Sequence, residues 1–257
     1  MSKGLESSTT KAPVVILGAT SPVARHLGVC FADAGHTVLL AGRDAAESAR
    51  NAKDIEVRTA QPCHALTFDA EELESHAAFW RECAEVLKEP PGGVVVCFGH
   101  MPDQETAQRD FVEVEKTWRV NVLGAISILE IAAHNFEARK TGFIAAISSV
   151  AGDRGRQSNY VYGAAKGGLS IYLQGLRNRL HRSGVSVSTL KPGFMDTPMT
   201  AGMDLPQALL TSPEVAAAKM YRAIQRKKTV AYIPGYWWGI MSIICAIPES
   251  FFKRLKL

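Results

Sequence analysis

The chain has 257 residues, of which 47% are hydrophobic and 21% charged, and its formal net charge is +4. This composition is typical of one globular domain with a large core, and it excludes a disordered or fibrous protein. The charge is mild and forms no basic stripe with interleaved aromatic residues, so nucleic acid is not an expected partner.

The N-terminus and the cysteines indicate the compartment. Residues 1–12 are polar and lack the apolar core of a signal peptide, so we expect a flexible N-terminus. Five scattered cysteines without a C-x-x-C pair favour a reduced, cytoplasmic setting. The histidines show no metal-ligand spacing, so we expect no metal site.

Short β-branched runs alternate with longer amphipathic stretches over residues 13–233. Residues 14–17, 37–41, 94–98, 143–148 and 185–191 are predicted strands. The first and fourth of these runs are largely continuous in apolar residues, as expected of strands buried on both faces. The alternation predicts repeated βαβ units. We therefore expect an α/β fold: a single-domain, Rossmann-type, doubly wound parallel sheet of about seven strands.

The first predicted strand leads directly into a turn and then a helix. Ser21 suits the N-cap of that helix, and Pro22 suits its first position. The free N–H groups and the dipole of such a helix N-terminus favour a dinucleotide pyrophosphate beside Gly18, Thr20 and Val23. Taken alone, the motif fits an ordinary helix start equally well.

The second predicted strand ends at Gly42, and Arg43 follows. An acidic residue at this strand end would select NAD by binding the adenine ribose, whereas a guanidinium matches the 2′-phosphate of NADP. The sequence therefore favours NADP, with NAD also possible. Arg43 is alternatively one of many exposed arginines, and the neighbouring Asp44 weakens the charge argument.

Four polar residues occur in a fixed order in the second half of the chain. Tyr162 and Lys166 are four residues apart in a predicted helix, which places a phenol and an ammonium on one face. Ser149 precedes Tyr162 by 13 residues, and Asn121 precedes Ser149 by 28. The segment P-G-F-M-D-T-P follows the last predicted strand. This ordered set resembles the short-chain dehydrogenase/reductase family over nearly the whole chain.

The resemblance implies hydride transfer between a nicotinamide and a carbonyl or alcohol carbon, with a tetrad of Asn121, Ser149, Tyr162 and Lys166. Tyr162 would be the acid/base, Ser149 would hydrogen-bond the oxyanion, and Asn121 would anchor a proton-relaying water. An ammonium about 4 Å from the phenol supplies on the order of 4 kcal/mol, enough to lower its pKa by about 3 units. The predicted cofactor-binding residues are Gly18, Thr20, Ser21, Pro22, Val23, Arg43, Asp69, Phe98, Gly99, Tyr162, Lys166, Pro192, Gly193, Phe194 and Thr197.

Two motifs depart from the family pattern without touching the tetrad. Pro22 and Ala24 replace glycines of the first turn, and residues 97–100 read C-F-G-H where the family has N-N-A-G. Residues 148–163, Phe98 with Gly99, and the tail 247–255 more closely resemble decaprenylphosphoryl 2-keto-pentose reductases. That resemblance implies a lipid-linked keto sugar as substrate. The alternatives are a reductase of soluble ketones or acyl chains, and a sensor that binds dinucleotide without turnover.

Residues 234–257 form an apolar and basic C-terminal segment, too short to span a bilayer. One hypothesis is peripheral membrane contact through three aromatic residues, a stripe of isoleucines and three basic residues. Its members are Tyr236, Trp237, Trp238, Ile240, Ile243, Ile244, Ile247, Lys253, Arg254 and Lys256. The alternative is that the stripe packs on the sheet or on a neighbouring subunit.

Two further expectations concern the substrate and the subunits. Arg154 and Arg156 follow Ser149 in the chain, where they either reach a substrate phosphodiester or are solvated surface residues. The family resemblance also implies a homo-oligomer built through the helices that carry Asn121 and Tyr162.

Overall fold

The computed structural model describes residues 11–203 and 205–255. The predicted flexible N-terminus therefore lies outside the described residues except for Lys11 and Ala12, which belong to the first strand. Lys256, a member of the predicted basic tail, also lies outside them.

A seven-stranded parallel sheet, in the order β3-β2-β1-β4-β5-β6-β7, forms the centre of the described chain. The predicted parallel α/β fold is therefore confirmed, and the five predicted strands all form, with ends shifted by no more than three residues. Both edge strands, β3 and β7, lay outside the five predicted runs. The strands are β1 (Lys11–Leu17), β2 (His36–Gly42), β3 (Cys63–Thr67), β4 (Gly93–Val96), β5 (Phe143–Ile147), β6 (Ser186–Pro192) and β7 (Val230–Ile233).

Helices cover both faces of the sheet. They are α1 (Pro22–Asp33), α2 (Ala45–Thr59), α3 (His76–Leu87), α4 (Gln104–Arg109), α5 (Phe111–Trp118), α6 (Ala125–Arg139), α7 (Tyr160–Leu180), α8 (Pro213–Gln225), α9 (Trp237–Ala246) and α10 (Glu249–Phe252). A π-helical turn, Arg119–Gly124, joins α5 to α6.

Alternation along β1 divides the core into two layers. Val15 and Leu17 pack in the layer formed with α3, α6 and α7. Val14 and Ile16 pack in the layer formed with α1, α2 and α8. All four side chains are fully buried, because a strand with helices on both faces places successive side chains in opposite cores.

The sheet order reverses at β1, which lies between β2 and β4. The loops that follow β1 and β4 therefore lead to opposite faces and leave a crevice at the carboxyl ends of the strands. Gly18 has φ +94° at this point, and a Cβ there would lie 2.6 Å from the backbone nitrogen of Phe98. Only glycine lets the two loops approach so closely while adopting this backbone conformation.

The C-terminal segment packs beside this crevice. Trp237 and Met241 of α9 are buried against Val150, and Ile240 and Ile244 lie partly buried in the same cluster. The predicted isoleucine stripe therefore faces the protein for the most part, in agreement with the packing alternative. Within residues 11–203 and 205–255, no helix has both the length and the apolar character required to cross a membrane.

Candidate active site

A cavity of about 500 Å³ lies at the carboxyl ends of the strands. Loops after β1, β2, β3, β4, β5 and β6 all contribute residues to its wall. All fifteen predicted cofactor-binding residues line it, as do Ser149, Tyr162 and Lys166 of the predicted tetrad. Asn121 does not line the cavity and lies behind its wall.

One end of the cavity is built from the turn between β1 and α1. Ser21 occupies the N-cap position of α1 as predicted, but its side chain makes no capping hydrogen bond. Pro22 begins the helix, and Thr20, Ser21 and Val23 also line the cavity. A helix N-terminus that opens into a cavity fits an anionic group, so this end of the cavity suits a pyrophosphate.

The residues after β2 form the neighbouring wall. The carboxylate of Asp44 accepts a hydrogen bond from the Glu47 backbone N–H at 2.8 Å and so caps α2. Arg43 has a side chain that is 66% exposed, and its Nη1 lies 3.6 Å from Glu71 Oε2. Asp44 is thus occupied by the helix, whereas Arg43 is held only by an exposed ion pair that contributes little.

The third predicted contact on this side, Asp69, follows β3. Its Oδ1 accepts a hydrogen bond from the Glu71 N–H at 2.9 Å, and its backbone oxygen lies 2.9 Å from Nε2 of the buried His76. The second ring nitrogen of His76 lies 2.9 Å from Ser127 Oγ on α6. These contacts fix the loop that forms the wall at this position.

Tyr162 and Lys166 project from one face of α7 into the other end of the cavity, and both are buried. The Lys166 ammonium donates a hydrogen bond to the Ile147 carbonyl at 2.9 Å and lies 5.7 Å from the centre of the Tyr162 ring. Ser149 follows β5, where its Oγ accepts a hydrogen bond from the Ala151 N–H at 3.1 Å. The predicted phenol, ammonium and hydroxyl therefore share one pocket.

Burial is the largest influence on the pKa values of the two ionisable side chains in this pocket, Tyr162 and Lys166. It raises the pKa of Tyr162 to about 12, although the adjacent Ser149 hydroxyl acts to lower it. It also lowers the pKa of Lys166 to about 8. The expectation of a phenol acidified by the ammonium alone is therefore wrong for the chain by itself, because desolvation outweighs it and the ammonium is directed at the Ile147 carbonyl.

Asn121 sits in the π-helical turn between α5 and α6. Its Nδ2 donates hydrogen bonds to the backbone oxygens of His100 at 2.6 Å and Thr117 at 2.9 Å, and its Oδ1 accepts one from the His100 N–H at 3.2 Å. A Cβ on Gly99 would lie 2.8 Å from Asn121 Oδ1 and 3.3 Å from Lys166 Nζ. The side chains of Asn121 and Lys166 thus approach each other across Gly99. This close approach explains why the turn after β4 has a glycine at this position.

Several residues of the substrate-side wall were not among the predicted site residues. Met101, Met199 and Met203 give this wall an apolar surface, and Arg156 and Asn159 add two polar groups. Met101 and Met203 lie in irregular loops with no motif to mark them, and Met199 lies in a short 3-10 turn just after the P-G-F-M-D-T-P segment. The position of Arg156 between Ser149 and Tyr162 in the sequence was a weak indication that it contacts the substrate. Arg154 had the same indication, but its side chain turns away from the cavity to the C-terminal segment.

The family model of short chain dehydrogenases matches residues 12–207. The chain belongs to the short-chain dehydrogenase family. Among curated relatives of this short-chain dehydrogenase, an uncharacterized oxidoreductase of Mycobacterium tuberculosis is 35% identical over 252 residues, which cover 96% of this chain and 98% of the relative. An uncharacterized oxidoreductase of Streptomyces coelicolor is 28% identical, covering 94% of this chain and 95% of the relative.

Solved structures share the fold. A short-chain dehydrogenase from Sphingobium yanoikuyae in complex with NADPH superposes with a TM-score of 0.79 at 22% identity, covering 93% of this chain and 97% of that one. A bulky-bulky ketone specific alcohol dehydrogenase from Comamonas testosteroni gives 0.78 at 19% identity, covering 94% and 97%. At these identities the likeness supports the architecture and not the substrate.

The low pKa of Lys166 predicts a pH-dependent stability. The folded value of about 8 lies below the ordinary 10.5, so the unfolded chain binds more protons between these values. Folding stability should therefore rise with pH in this window, by about 1–2 kcal/mol between pH 7.5 and 9.5. Urea unfolding of the protein and of Lys166→Met, which lacks the titrating group, measures this contribution. Parallel stability profiles for the two proteins would contradict it.

Proposed function

We propose that this short-chain dehydrogenase reduces the carbonyl group of a substrate, with Tyr162 as the proton donor. The observation that carries the proposal is the convergence of Tyr162, Ser149 and Lys166 in a cavity whose other end fits a dinucleotide pyrophosphate. A nicotinamide cofactor supplies the hydride when bound. Family membership supports the redox chemistry.

The protonation states of the free chain suit the reductive direction. With its pKa raised to about 12, Tyr162 holds its proton at neutral pH and can donate it from Oη to a substrate oxygen. The Ser149 hydroxyl, beside the phenol, can hydrogen-bond the same oxygen as negative charge develops on it. Lys166 stays largely protonated below its pKa of about 8 and favours the phenolate that remains after donation. In this proposal the Tyr162 phenolate then takes a proton from the Lys166 ammonium, and the resulting neutral amine is reprotonated from solvent. Asn121, which lies across Gly99 from Lys166, assists that last step.

Tyr162→Phe is the direct test. It removes the transferable proton and keeps the ring, so carbonyl reduction should fall by about 10²–10⁴-fold while NADPH affinity stays nearly unchanged. NADPH oxidation with a panel of ketones measures the first effect, and fluorescence titration with NADPH measures the second.

Tyr160→Phe is the matched control, because Tyr160 begins the same helix with its side chain at the surface. Retention of more than about a tenth of the activity in Tyr162→Phe would refute the assignment. Dinucleotide binding by the unmodified protein without turnover of any carbonyl compound would instead favour the sensor alternative.

We further propose that the cofactor is NADP rather than NAD. Arg43 lines the cavity after β2, and the one neighbouring carboxylate in sequence, that of Asp44, is committed to capping α2. A 2′-phosphate would therefore meet a guanidinium. The NADPH complex of the structurally similar dehydrogenase from Sphingobium yanoikuyae agrees with this choice.

Arg43→Ala should raise the Kd for NADPH by about tenfold and change the Kd for NADH by less than about twofold, because only the 2′-phosphate needs the guanidinium. Titration calorimetry with both nucleotides measures this. Glu71→Gln is the control, since it removes the partner of Arg43 but keeps the cation, and it should preserve the preference for NADPH. Equal affinities of the unmodified protein for the two nucleotides would refute the proposal.

For the substrate, we propose the lipid-linked keto sugar implied by the closer sequence resemblance. Trp237 packs against Gly193 of the cavity wall, so α9 begins beside the cavity. Trp238 and Ile243 of this helix are 65% and 69% exposed, and Phe251 is 63% exposed next to the basic Lys253 and Arg254. We call Trp238, Ile243 and Phe251 the apolar tail patch. Such a patch with adjacent cations favours peripheral contact with an anionic lipid surface.

Sedimentation with phosphatidylglycerol liposomes at low salt tests this contact. The full chain should pellet, and a variant with all three patch residues changed to serine should stay largely in the supernatant. The substitution is preferable to truncation, because α9 also buries Trp237 and Met241. If the unmodified protein stays in the supernatant, the membrane contact fails and soluble ketones or acyl chains become the better substrates.

The homo-oligomer implied by the family resemblance remains a prediction. Phe111 of α5 and Ile171 of α7 are largely exposed, and both lie on or next to the helices expected to pair between subunits. Buried between subunits, these side chains would contribute to association. Sedimentation equilibrium gives the mass that decides it, and a monomer at all concentrations would contradict it.

A further inference from the structure

We propose that Arg156 anchors an anionic group of the substrate, a carboxylate or a phosphate close to the carbonyl to be reduced. This inference rests on the proposed carbonyl reduction and names the substrate class for the same cavity. It makes Arg156 a specificity-determining residue, with Asn159 as its neighbour in the wall.

The position of Arg156 supports a contact with substrate. It lies in the loop between β5 and α7, and its side chain lines the cavity together with Ser149 and Tyr162. The dinucleotide end of the cavity belongs to the loops after β1 and β2, which lie two and three strands away from β5 in the sheet. Neighbouring strands are about 4.8 Å apart, which corresponds to roughly 10–14 Å between these loops.

The two arginines of this loop have opposite surroundings. Arg154 donates from Nη1 to the Ile247 carbonyl at 2.6 Å, and its Nη2 lies 2.9 Å from Glu249 Oε2. The guanidinium of Arg156 makes no hydrogen bond or ion pair with residues 11–203 or 205–255, and its buried Nε has no acceptor there. Arg154 is therefore structural, and Arg156 remains available to a ligand.

The carboxylate of Asp153, which influences the pKa of Arg156, is already bound to other groups. Asp153 is bound through Oδ1 to the Lys191 ammonium and through Oδ2 to the Tyr232 hydroxyl, which lies at 2.8 Å. Both of its oxygens are thus engaged with β6 and β7. Asp153 only moderates the effect of burial, which lowers the pKa of Arg156.

Asn159 adds a hydrogen-bond acceptor beside the donor groups of Arg156. It occupies the N-cap position of α7 without capping it, and its buried Oδ1 has no donor within the described residues. Two residues that line the cavity thus each carry a buried polar atom without a partner, a donor on Arg156 and an acceptor on Asn159. A substrate with an anionic group and a neighbouring hydroxyl satisfies both, and the free energy lost on burying an unpaired guanidinium is recovered when the anion binds.

Binding of matched ketones to the NADP⁺-saturated full chain tests the proposal. The probes are acetoacetate against methyl acetoacetate for the carboxylate, and dihydroxyacetone phosphate against dihydroxyacetone for the phosphate. Tryptophan fluorescence gives each Kd. We expect at least one anionic probe to bind about tenfold or more tighter than its neutral partner, as for hydrogen bonds to a charged group.

Arg156→Gln should abolish this preference and leave the Kd values of the neutral ketones within about twofold, while Arg156→Lys should retain part of it. Arg109→Gln is the control, because Arg109 is an exposed arginine of α4 outside the cavity. If neither anionic probe is preferred, or if Arg156→Gln keeps the preference, the inference is overturned.

The variant Tyr162→Phe distinguishes a failure of the proposed carbonyl reduction from a failure of the proposed role of Arg156. That variant should bind the anionic probe normally and fail to oxidise NADPH. Turnover of neutral ketones that depends on Tyr162, without any preference for anions, would overturn the role of Arg156 alone. A preference for anions that depends on Arg156, without any Tyr162-dependent turnover, would overturn the carbonyl reduction alone.

Discussion

The burial of the Lys166 ammonium is the constraint on which the rest of the site depends. A cation removed from water needs close dipoles, and the Ile147 carbonyl at 2.9 Å provides one. The helix that carries it is tied to the end of β5 by Ser148, whose hydroxyl donates to the Lys166 backbone oxygen at 2.9 Å. Gly152 permits the close packing, since a Cβ there would lie 2.7 Å from the Lys166 backbone carbon.

The same constraint explains why the turn after β4 tolerates an unusual sequence. What this position requires is the absence of a side chain between Asn121 and Lys166, and Gly99 satisfies that requirement. The orientation of Asn121 comes from backbone groups of His100 and Thr117, which any residue other than proline provides at position 100. The turn is thus defined by one glycine and by backbone hydrogen bonds rather than by the identity of its other side chains.

The substrate side of the cavity is held differently from the cofactor side. Its loop between β5 and α7 is anchored at Asp153, which binds Lys191 and Tyr232, and at Arg154, which stacks on Phe252 with its guanidinium carbon 3.9 Å from the ring centre. The C-terminal segment therefore supports the substrate loop directly.

Periodicity and motif order in the sequence were sufficient to predict the parallel fold, the central strands and the part of the cavity wall that carries the motifs. Buried strands such as residues 14–17 carry a continuous apolar signal, and the tetrad and the first turn are local motifs with fixed spacing. The edge strands β3 and β7 give weaker signals, because they are short and only partly buried.

Only the tertiary structure decided the quantities that depend on neighbours distant in the chain. The raised pKa of Tyr162 results from burial beneath several loops, and no spacing of residues encodes that desolvation. Arg154 and Arg156 look alike in sequence, yet the first meets carbonyls about 90 residues away in the chain and the second faces the cavity. Local sequence determines which elements form and which groups they carry, whereas protonation and pairing follow from the packing of the whole chain.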